Sequence, residues 1–227
     1  MAVRKPRLGR DDWTAAALTA IGEQGLAGVA VEPLAARLGT TKGSFYWHFA
    51  NRDALLEAAL GSWDETYTDA ILRTVDAEPD PAARLRALFV AVTASERAPV
   101  EVHLHAAADH PAVAPAMRRA VARRTAYIAT QLVTLGFEPA EADRRALFAY
   151  ATYIGHIQLV VRIPEAVPQG AALEAYLGTV LAAVLGNADS GGPAANSTGQ
   201  ADTDSSSGVG AGRSANSESS NSSALSP

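Results

Sequence analysis

The sequence predicts an all-α protein with a three-helix N-terminal domain, a larger body of about six helices and a disordered tail. Hydrophobic residues make up 48% of the 227 residues. Alanine is abundant and β-branched runs are few, which favours helices over strands. Apolar residues recur every three or four positions along most of the chain, and proline and glycine separate these stretches.

The amino-acid composition excludes several classes of site and of protein. The absence of cysteine excludes disulfides, thiolate metal sites and a cysteine nucleophile, and it fits a reducing cytoplasm. No run of about eighteen uncharged apolar residues occurs, so we expect no membrane span and no membrane partner. The net charge is -5, but residues 1–52 contain seven basic and four acidic side chains, a balance of +3. Positive charge is therefore concentrated in the segment where phosphate contacts would be expected.

The N-terminal segment predicts a basic arm followed by a first helix. Residues 1–9 form the flexible arm, which fits either a strand that follows a nucleic-acid backbone or a solvated tail. The helix is expected over 11–24, because acidic residues open it and Gly25 suits its end. Trp13 lies in its apolar stripe and is expected in the core.

A second short helix is expected over residues 32–38. Pro33 suits its first turn, and Gly39 suits a left-handed cap at its end. In the helix that follows, Phe45 and Phe49 fall one turn apart on one face. The order of helix, glycine turn and aromatic helix is that of a helix-turn-helix over about residues 32–49. Taken alone, the aromatic helix also fits a short amphipathic helix that only fills a core.

From residue 10 to about residue 60 the sequence resembles the tetracycline-repressor (TetR) family of bacterial transcription regulators. The resemblance is carried by an Arg-Asp-Asp opening, Gly25, Leu34-Ala35 with Gly39, and the string Lys42-Gly43-Ser44-Phe45-Tyr46-Trp47-His48-Phe49 followed by Asn51-Arg52-Asp53-Ala54-Leu55-Leu56. This ordered string is more specific than a helix-turn-helix pattern alone.

The resemblance implies a homodimeric repressor that binds palindromic double-stranded DNA and is released by a small-molecule effector, without a cofactor. It implies a cytoplasmic protein that is nucleoid-associated when bound to DNA. The positions that match DNA contacts of the family are Thr41, Lys42, Gly43, Ser44, Tyr46, Trp47, His48 and Arg52. One departure concerns the threonine that usually caps the second helix. Here Val29, Ala30 and Val31 have no hydroxyl, so we expect a weaker cap and one phosphate contact fewer.

Six further helices are predicted in the body. They are expected over 53–76, 81–97, 99–108, 115–135, 140–161 and 171–185. Asn51 and Asp80 are the expected N-caps of the first two, and Pro81 suits a first helical position. The predicted boundaries are an arm at 1–9, a DNA-binding domain at 10–55, a ligand-binding and dimerisation domain at 56–186, and a tail at 187–227. The tail is rich in serine, glycine and asparagine, so we expect it to be disordered.

Two sites are expected in this body. Residues that the ligand pocket would use are Trp63, Tyr67, His103 and His105, although the two aromatic residues also fit simple core packing. The resemblance implies a dimer interface on the last two helices, and the residues assigned to it are Leu147, Ala151, Ile154, Gln158, Tyr176, Val180 and Val184.

One cluster of polar residues fits more than one role. It comprises Glu101, His103, His105, Asp109 and His110. Helical spacing fits a metal site, but a polar face or one side of the effector pocket fits better, so no metal is expected. No catalytic constellation is apparent. Two other functions remain: a helical enzyme with a vestigial helix-turn-helix, and a structural DNA-binding protein without an effector.

Overall fold

The computed structural model describes residues 8–94 and 97–186, and all regular secondary structure in this part of the chain is helical. Its α-helices are α1 (Arg10–Gln24), α2 (Val31–Arg37), α3 (Lys42–Tyr46), α4 (Arg52–Trp63), α5 (Asp69–Val75), α6 (Pro81–Thr93), α7 (Ala98–Ala106), α8 (Ala114–Thr134), α9 (Pro139–Arg162) and α10 (Ala171–Leu185). The all-α prediction is confirmed. The predicted tail and most of the predicted basic arm lie outside the described residues.

Glycines end the first two helices. Gly25 and Gly39 have φ angles of 67° and 63°, in the left-handed region that glycine adopts without steric cost. The third helix is shorter than predicted, because α3 ends at Tyr46 instead of continuing to Phe49. The backbone N–H of Phe49 still donates to the Phe45 carbonyl at 3.0 Å, so the chain closes one more turn and keeps both aromatic side chains on one side.

The predicted helix over 53–76 is continuous but irregular. The Asn51 side chain accepts the backbone N–H of Ala54 at 2.9 Å, as an N-cap does. Between α4 and α5, residues Asp64–Thr68 form a π-helical segment. A π-helical turn of this kind is rare and occurs mostly as a single wider turn within an α-helix. Asp80 caps α6 as predicted, and its side chain accepts the N–H of Ala83 at 2.8 Å.

One hydrophobic core joins the N-terminal helices to the body. Val100 and Leu104 of α7 and Met117 of α8 belong to the same cluster as Trp13 of α1. The fit is close at α1. A Cβ built on Gly22 would stand 3.1 Å from the side chain of Val100. The N-terminal domain is therefore completed by α7 and the start of α8.

A second core lies within the body, between α5, α6, α8, α9 and α10. Val180 and Val184 of α10 are buried here, with exposed fractions of 8% and 0%. This corrects their assignment to a dimer surface, because both side chains already pack within one protomer. No helix among residues 8–94 and 97–186 has the length and apolarity needed to cross a membrane.

Candidate functional site

Aromatic packing holds α3 against the N-terminal domain. Phe45 is fully buried, and its ring meets the ring of Trp13 edge-on at a centroid distance of 5.3 Å. It also stacks on Phe49 at 5.7 Å. Such contacts stabilise beyond the burial of area alone. The inner side of α3 is thus fixed by three rings.

The opposite side of α3 is exposed, and we call it the reading face. Its exposed residues are Thr41, Lys42, Gly43, Tyr46 and Trp47, with Ser44 and His48 half-buried beside them. The Trp47 side chain is 88% exposed, which is unusual for an indole. A Cβ built on Gly43 would meet only the Thr41 hydroxyl, at 3.7 Å, so packing within the protein does not require glycine there.

Lys42 forms an ion pair with a residue of α2. Its Nζ donates to Glu32 Oε1 of α2 at 2.8 Å, and both side chains are exposed. This hydrogen bond raises the pKa of Lys42 and lowers the pKa of Glu32. Lys42 is therefore charged at neutral pH and oriented along the reading face. The pair is weak enough to exchange for another anion.

Arg52 points inward in this structure. Its guanidinium donates to the carbonyls of Val29 at 2.7 Å and Leu26 at 2.6 Å. These carbonyls belong to the link between α1 and α2. Arg52 therefore ties this link to α4, and its predicted phosphate contact remains a prediction. The α2 N-cap is Ala30 without a side-chain cap bond, so the expected missing cap is confirmed.

Arg10, the first residue of the Arg-Asp-Asp opening, also supports this region, although no site role was predicted for it. Its guanidinium donates to the His48 carbonyl at 3.0 Å and lies 4.4 Å from the centre of the Phe49 ring. It therefore supports the turn after α3 from the side of α1. The position of Arg10 at the start of α1 does not indicate which carbonyl its side chain reaches.

The body contains a mainly apolar space that we call the inner cavity. Its volume is about 70 Å³. The residues that line it are Trp63, Tyr67, Thr68, Ile71, Leu72, Leu88, Phe89, Val92, Arg97, Glu101, Arg124, Tyr127, Ile128, Ala149, Tyr150 and Tyr153. Trp63 and Tyr67, two of the four residues predicted for a ligand pocket, are among them.

The polar end of the inner cavity is built around a buried ion pair. Arg124 pairs with Glu101 through a short contact and also donates to the Thr68 hydroxyl at 3.1 Å. The Tyr153 hydroxyl donates to the second oxygen of Glu101 at 3.2 Å. Burial raises the pKa of Tyr150 to about 12, so that phenol remains protonated at neutral pH.

His103 and His105 do not line the inner cavity, which corrects the predicted pocket. His105 lies behind its wall, with Nε2 3.0 Å from the Tyr150 hydroxyl. Burial is the largest effect on the pKa of His105 and lowers it. The ring of His103 instead packs at Gly25, where an added Cβ would stand 3.2 Å from its Nδ1. Helical spacing placed both residues on α7 but did not fix which neighbour each would face.

Only Glu101 and His105 of the predicted polar cluster remain close, with His105 Nε2 3.9 Å from Glu101 Oε1. Within residues 8–94 and 97–186, no three His, Cys, Asp or Glu side chains are arranged to hold a metal ion. Glu101 is occupied by Arg124 and Tyr153, and His110 Nδ1 accepts the backbone N–H of Ala112 at 3.2 Å. These contacts give Glu101 and His110 structural roles in the fold.

An apolar face runs along the outside of α9. Its large exposed side chains are Leu147, Phe148, Leu159 and Ile163. Ala151 and Gly155 lie between them and are exposed as well. Three predicted interface residues, Ile154, Gln158 and Tyr176, are partly buried, and the Tyr176 ring stacks on His156 at 5.6 Å. Only part of the predicted interface is therefore on the surface.

Residues 14–59 match the family model described as bacterial regulatory proteins, tetR family. The HTH-type transcriptional regulator TtgR of Pseudomonas putida is 35% identical over 79 residues, which cover 34% of this chain and 37% of that protein. The chain thus matches only about a third of the length of that relative. Over the N-terminal residues, the predicted resemblance to the TetR family is confirmed.

Two solved structures share the fold over most of the described chain. A transcriptional regulator from Rhodococcus sp. Rha1 has a TM-score of 0.67 and 25% identity, covering 79% of this chain and 95% of that one. SmeT, the repressor of the Stenotrophomonas maltophilia multidrug efflux pump SmeDEF, has a TM-score of 0.60 and 23% identity, covering 78% and 90%. The second likeness concerns the fold alone.

Proposed function

We propose, on the premise of a TetR-type N-terminal domain, that the protein is a sequence-specific DNA-binding transcriptional repressor released from its operator by a small molecule. The observation that carries this proposal is the reading face. It presents a charged lysine, a phenol and an exposed indole on a helix that buried aromatic rings hold from behind. An exposed aromatic and basic surface on a fixed helix suits phosphates and base edges.

The chemistry of each exposed residue fits a role at DNA. Lys42 supplies a cation for a phosphate or for the acceptors of guanine, and Tyr46 supplies a hydroxyl beside it. The open side of Gly43 allows the α3 backbone to approach the groove. Ser44, Trp47 and His48 are assigned to phosphates and sugars, which fix orientation without reading sequence.

We further propose a homodimer formed through α9 and α10. The exposed side chains of Leu147, Phe148 and Leu159 form an apolar face that a second copy would cover. Two reading faces in such a dimer would meet half-sites about 34–36 Å apart, or a multiple of this distance. The operator is therefore expected to be palindromic.

The inner cavity is the proposed effector site. Its walls include Trp63 of α4, the helix that leads out of the N-terminal domain, and Glu101 of α7, which packs on α1. A ligand that binds one arrangement of these helices better than another would change the separation of the reading faces. This coupling is the proposed basis of release.

Selection of bound fragments from random double-stranded DNA tests the proposal most directly. We expect enrichment of a palindrome and a complex of two protomers per site. The variant Lys42→Ala should bind the enriched site more weakly, and Val133→Ala, on an exposed part of α8, should match the unchanged protein. A monomer in solution, or no enrichment at low salt, would refute the proposed function.

A further inference from the structure

The N-terminal helices carry no excess of positive charge. Residues 10–59 contain four basic and six acidic side chains, a balance of -2. The affinity of a protein for DNA depends strongly on the number of cations that meet the phosphates. An acidic side chain that lies against the reading face therefore works against the binding of DNA.

The four basic residues among these helices are all engaged within the protein. Arg10 and Arg52 donate to backbone carbonyls, and Arg52 Nη1 also lies 3.6 Å from the Asp53 carboxylate. Arg37 and Lys42 instead donate hydrogen bonds to carboxylates. A hydrogen-bonded charge pair must therefore open before Arg37 or Lys42 can serve a phosphate.

These two charge pairs differ in how firmly they are held. Arg37 of α2 donates from both terminal nitrogens to the two oxygens of Glu23 of α1, and such a forked arrangement fixes the geometry of the pair. Lys42 makes one hydrogen bond, 2.8 Å long, to a single oxygen of Glu32. The side chains of Lys42 and Glu32 are 53% and 72% exposed. The pair of Lys42 and Glu32 is therefore the one that opens more easily.

Glu32 offers Lys42 the same kind of acceptor that DNA offers. A carboxylate oxygen 2.8 Å from the ammonium nitrogen has the distance of a charge-assisted bond to a phosphate oxygen. Among the described residues that form the reading face, Lys42 carries the only lysine or arginine charge. If Lys42 turned to a phosphate, Glu32 would lose its partner. If the ammonium bridged both acceptors, two negative groups would share one cation and repel each other.

An alternative role for Glu32 is to stabilise α2. The N-cap of this helix is Ala30, which makes no side-chain cap bond, and Glu32 is the acidic residue of the first turn. A negative charge at this position interacts favourably with the helix dipole. That role concerns the free energy of unfolding alone, and it predicts no gain in DNA affinity when the charge of Glu32 is removed.

We infer that Glu32 is a built-in competitor of DNA, which occupies Lys42 in the free protein and lowers the affinity of the reading face for any duplex. This inference rests on the proposed function and adds a residue that regulates the same site. Because the competitor belongs to the protein, it acts without an effector and on every DNA sequence. A repressor held at lower affinity in this way needs a smaller coupling free energy for release.

Fluorescence anisotropy titrations of the full chain test the inference, with the selected operator and with a duplex of unrelated sequence. Glu32→Gln removes the charge and keeps the size of the side chain, and it should tighten binding to both duplexes about fivefold at low salt. The control Glu57→Gln removes the same charge from an exposed position of α4, and it should change the affinity less than about twofold. Unchanged or weaker binding by Glu32→Gln would overturn the inference.

A double-mutant cycle shows whether Glu32 acts through Lys42. In a Lys42→Met protein the carboxylate has no lysine to occupy, so Glu32→Gln should tighten binding only about twofold, through the loss of repulsion. A gain as large as in the unchanged protein would refute the competition.

The salt dependence of the gain provides a second check. Rising salt should bring the affinities of Glu32→Gln and the unchanged protein together, because screening weakens both the ion pair and the repulsion between carboxylate and phosphate. A gain that persists at high salt would mean that the glutamine itself contacts DNA, and it would also overturn the inference.

Urea denaturation of the same variants separates competition from the stabilisation of α2. Glu32→Gln should leave the unfolding transition nearly in place, because an exposed ion pair contributes little to stability. A lower stability without a gain in DNA affinity would assign Glu32 to the first turn of α2 and refute the competitor.

Failure of this inference is distinguishable from failure of the proposed function. Selection that enriches a palindrome, with no gain from Glu32→Gln, would retain the regulator and refute the competitor. A gain on the unrelated duplex, with no sequence enriched by selection, would retain the competitor and remove the sequence-specific repressor.

Discussion

Two ion pairs, one on the surface of α3 and one inside the body, are built in opposite ways. Lys42 and Glu32 meet through one hydrogen bond between exposed side chains. Glu101 and Arg124 meet out of water, and Glu101 also accepts the Tyr153 hydroxyl. Exposed pairs contribute little to stability and exchange partners readily, whereas a buried pair is costly to break. An exposed pair therefore suits a surface that binds another molecule, because its charges can change partners. A buried pair suits the interior, because each of its charges needs a permanent partner there.

The largest effect should follow from breaking the buried pair. Glu101→Ala leaves Arg124 charged without its partner, and we expect the free energy of unfolding to fall by about 3–5 kcal/mol. Urea denaturation of the full chain measures this loss. The matched control is Glu101→Ala with Arg124→Ala, which removes both charges and should restore part of the stability. A single variant within about 1 kcal/mol of the unchanged protein would contradict this view of the pair.

Changes on the reading face should affect binding and spare folding. Lys42→Ala and Tyr46→Ala should each weaken operator binding roughly five- to a hundredfold, while the unfolding transition stays in place. Gel-shift titration on the selected operator, beside urea denaturation, separates the two effects. Unchanged affinity for both variants would remove these residues from the interface.

Arg52 could serve either the stability of the fold or the binding of DNA, and one variant distinguishes these two roles. If its bonds to the carbonyls of Val29 and Leu26 are its main role, Arg52→Met should lower the free energy of unfolding by about 1–2 kcal/mol. If it serves only a phosphate, stability should be unchanged and operator affinity should show a smaller dependence on salt. Denaturation together with a salt titration of binding decides between these outcomes.

The smallest expected effect is a pH dependence of the free energy of unfolding, caused by His105 beside the buried ion pair. Burial lowers the pKa of His105 below its ordinary value of 6.5. The unfolded chain therefore takes up a proton at a higher pH than the folded one, so stability is full above about pH 6.5 and is lost as pH falls. His105→Gln should make this decline shallower. Identical slopes for the two proteins would exclude a contribution from His105.

Local rules anticipated much of the fold. Asn51 and Asp80 cap helices as expected, because a side-chain acceptor before a helix satisfies an N–H that the helix itself leaves open. Gly39 takes the expected left-handed conformation. These features depend on a few neighbouring residues, which is why sequence suffices for them. The early end of α3 and the π-helical segment were not predicted.

The sites were harder to foresee, because apolar spacing identifies a buried face but not what buries it. Val180 and Val184 recur as an interface stripe would, yet their own protomer covers them. Long side chains raise the same difficulty. Arg52 follows the helix-turn-helix, where an outward cation was expected, but its guanidinium turns back to two carbonyls. Which neighbour a side chain reaches depends on contacts between distant helices.

The packing of α7 against α1 has a consequence for attempts to graft the N-terminal helices onto another protein. Because Val100 and Leu104 complete the core around Trp13, a DNA-binding segment excised near residue 60 would expose a hydrophobic socket instead of a finished surface. Chimeras that graft this segment onto an unrelated sensor should therefore aggregate unless the sensor brings a matching helix. If α3 reads DNA as proposed, specificity is better changed by exchanging residues on α3 than by transplanting this whole segment.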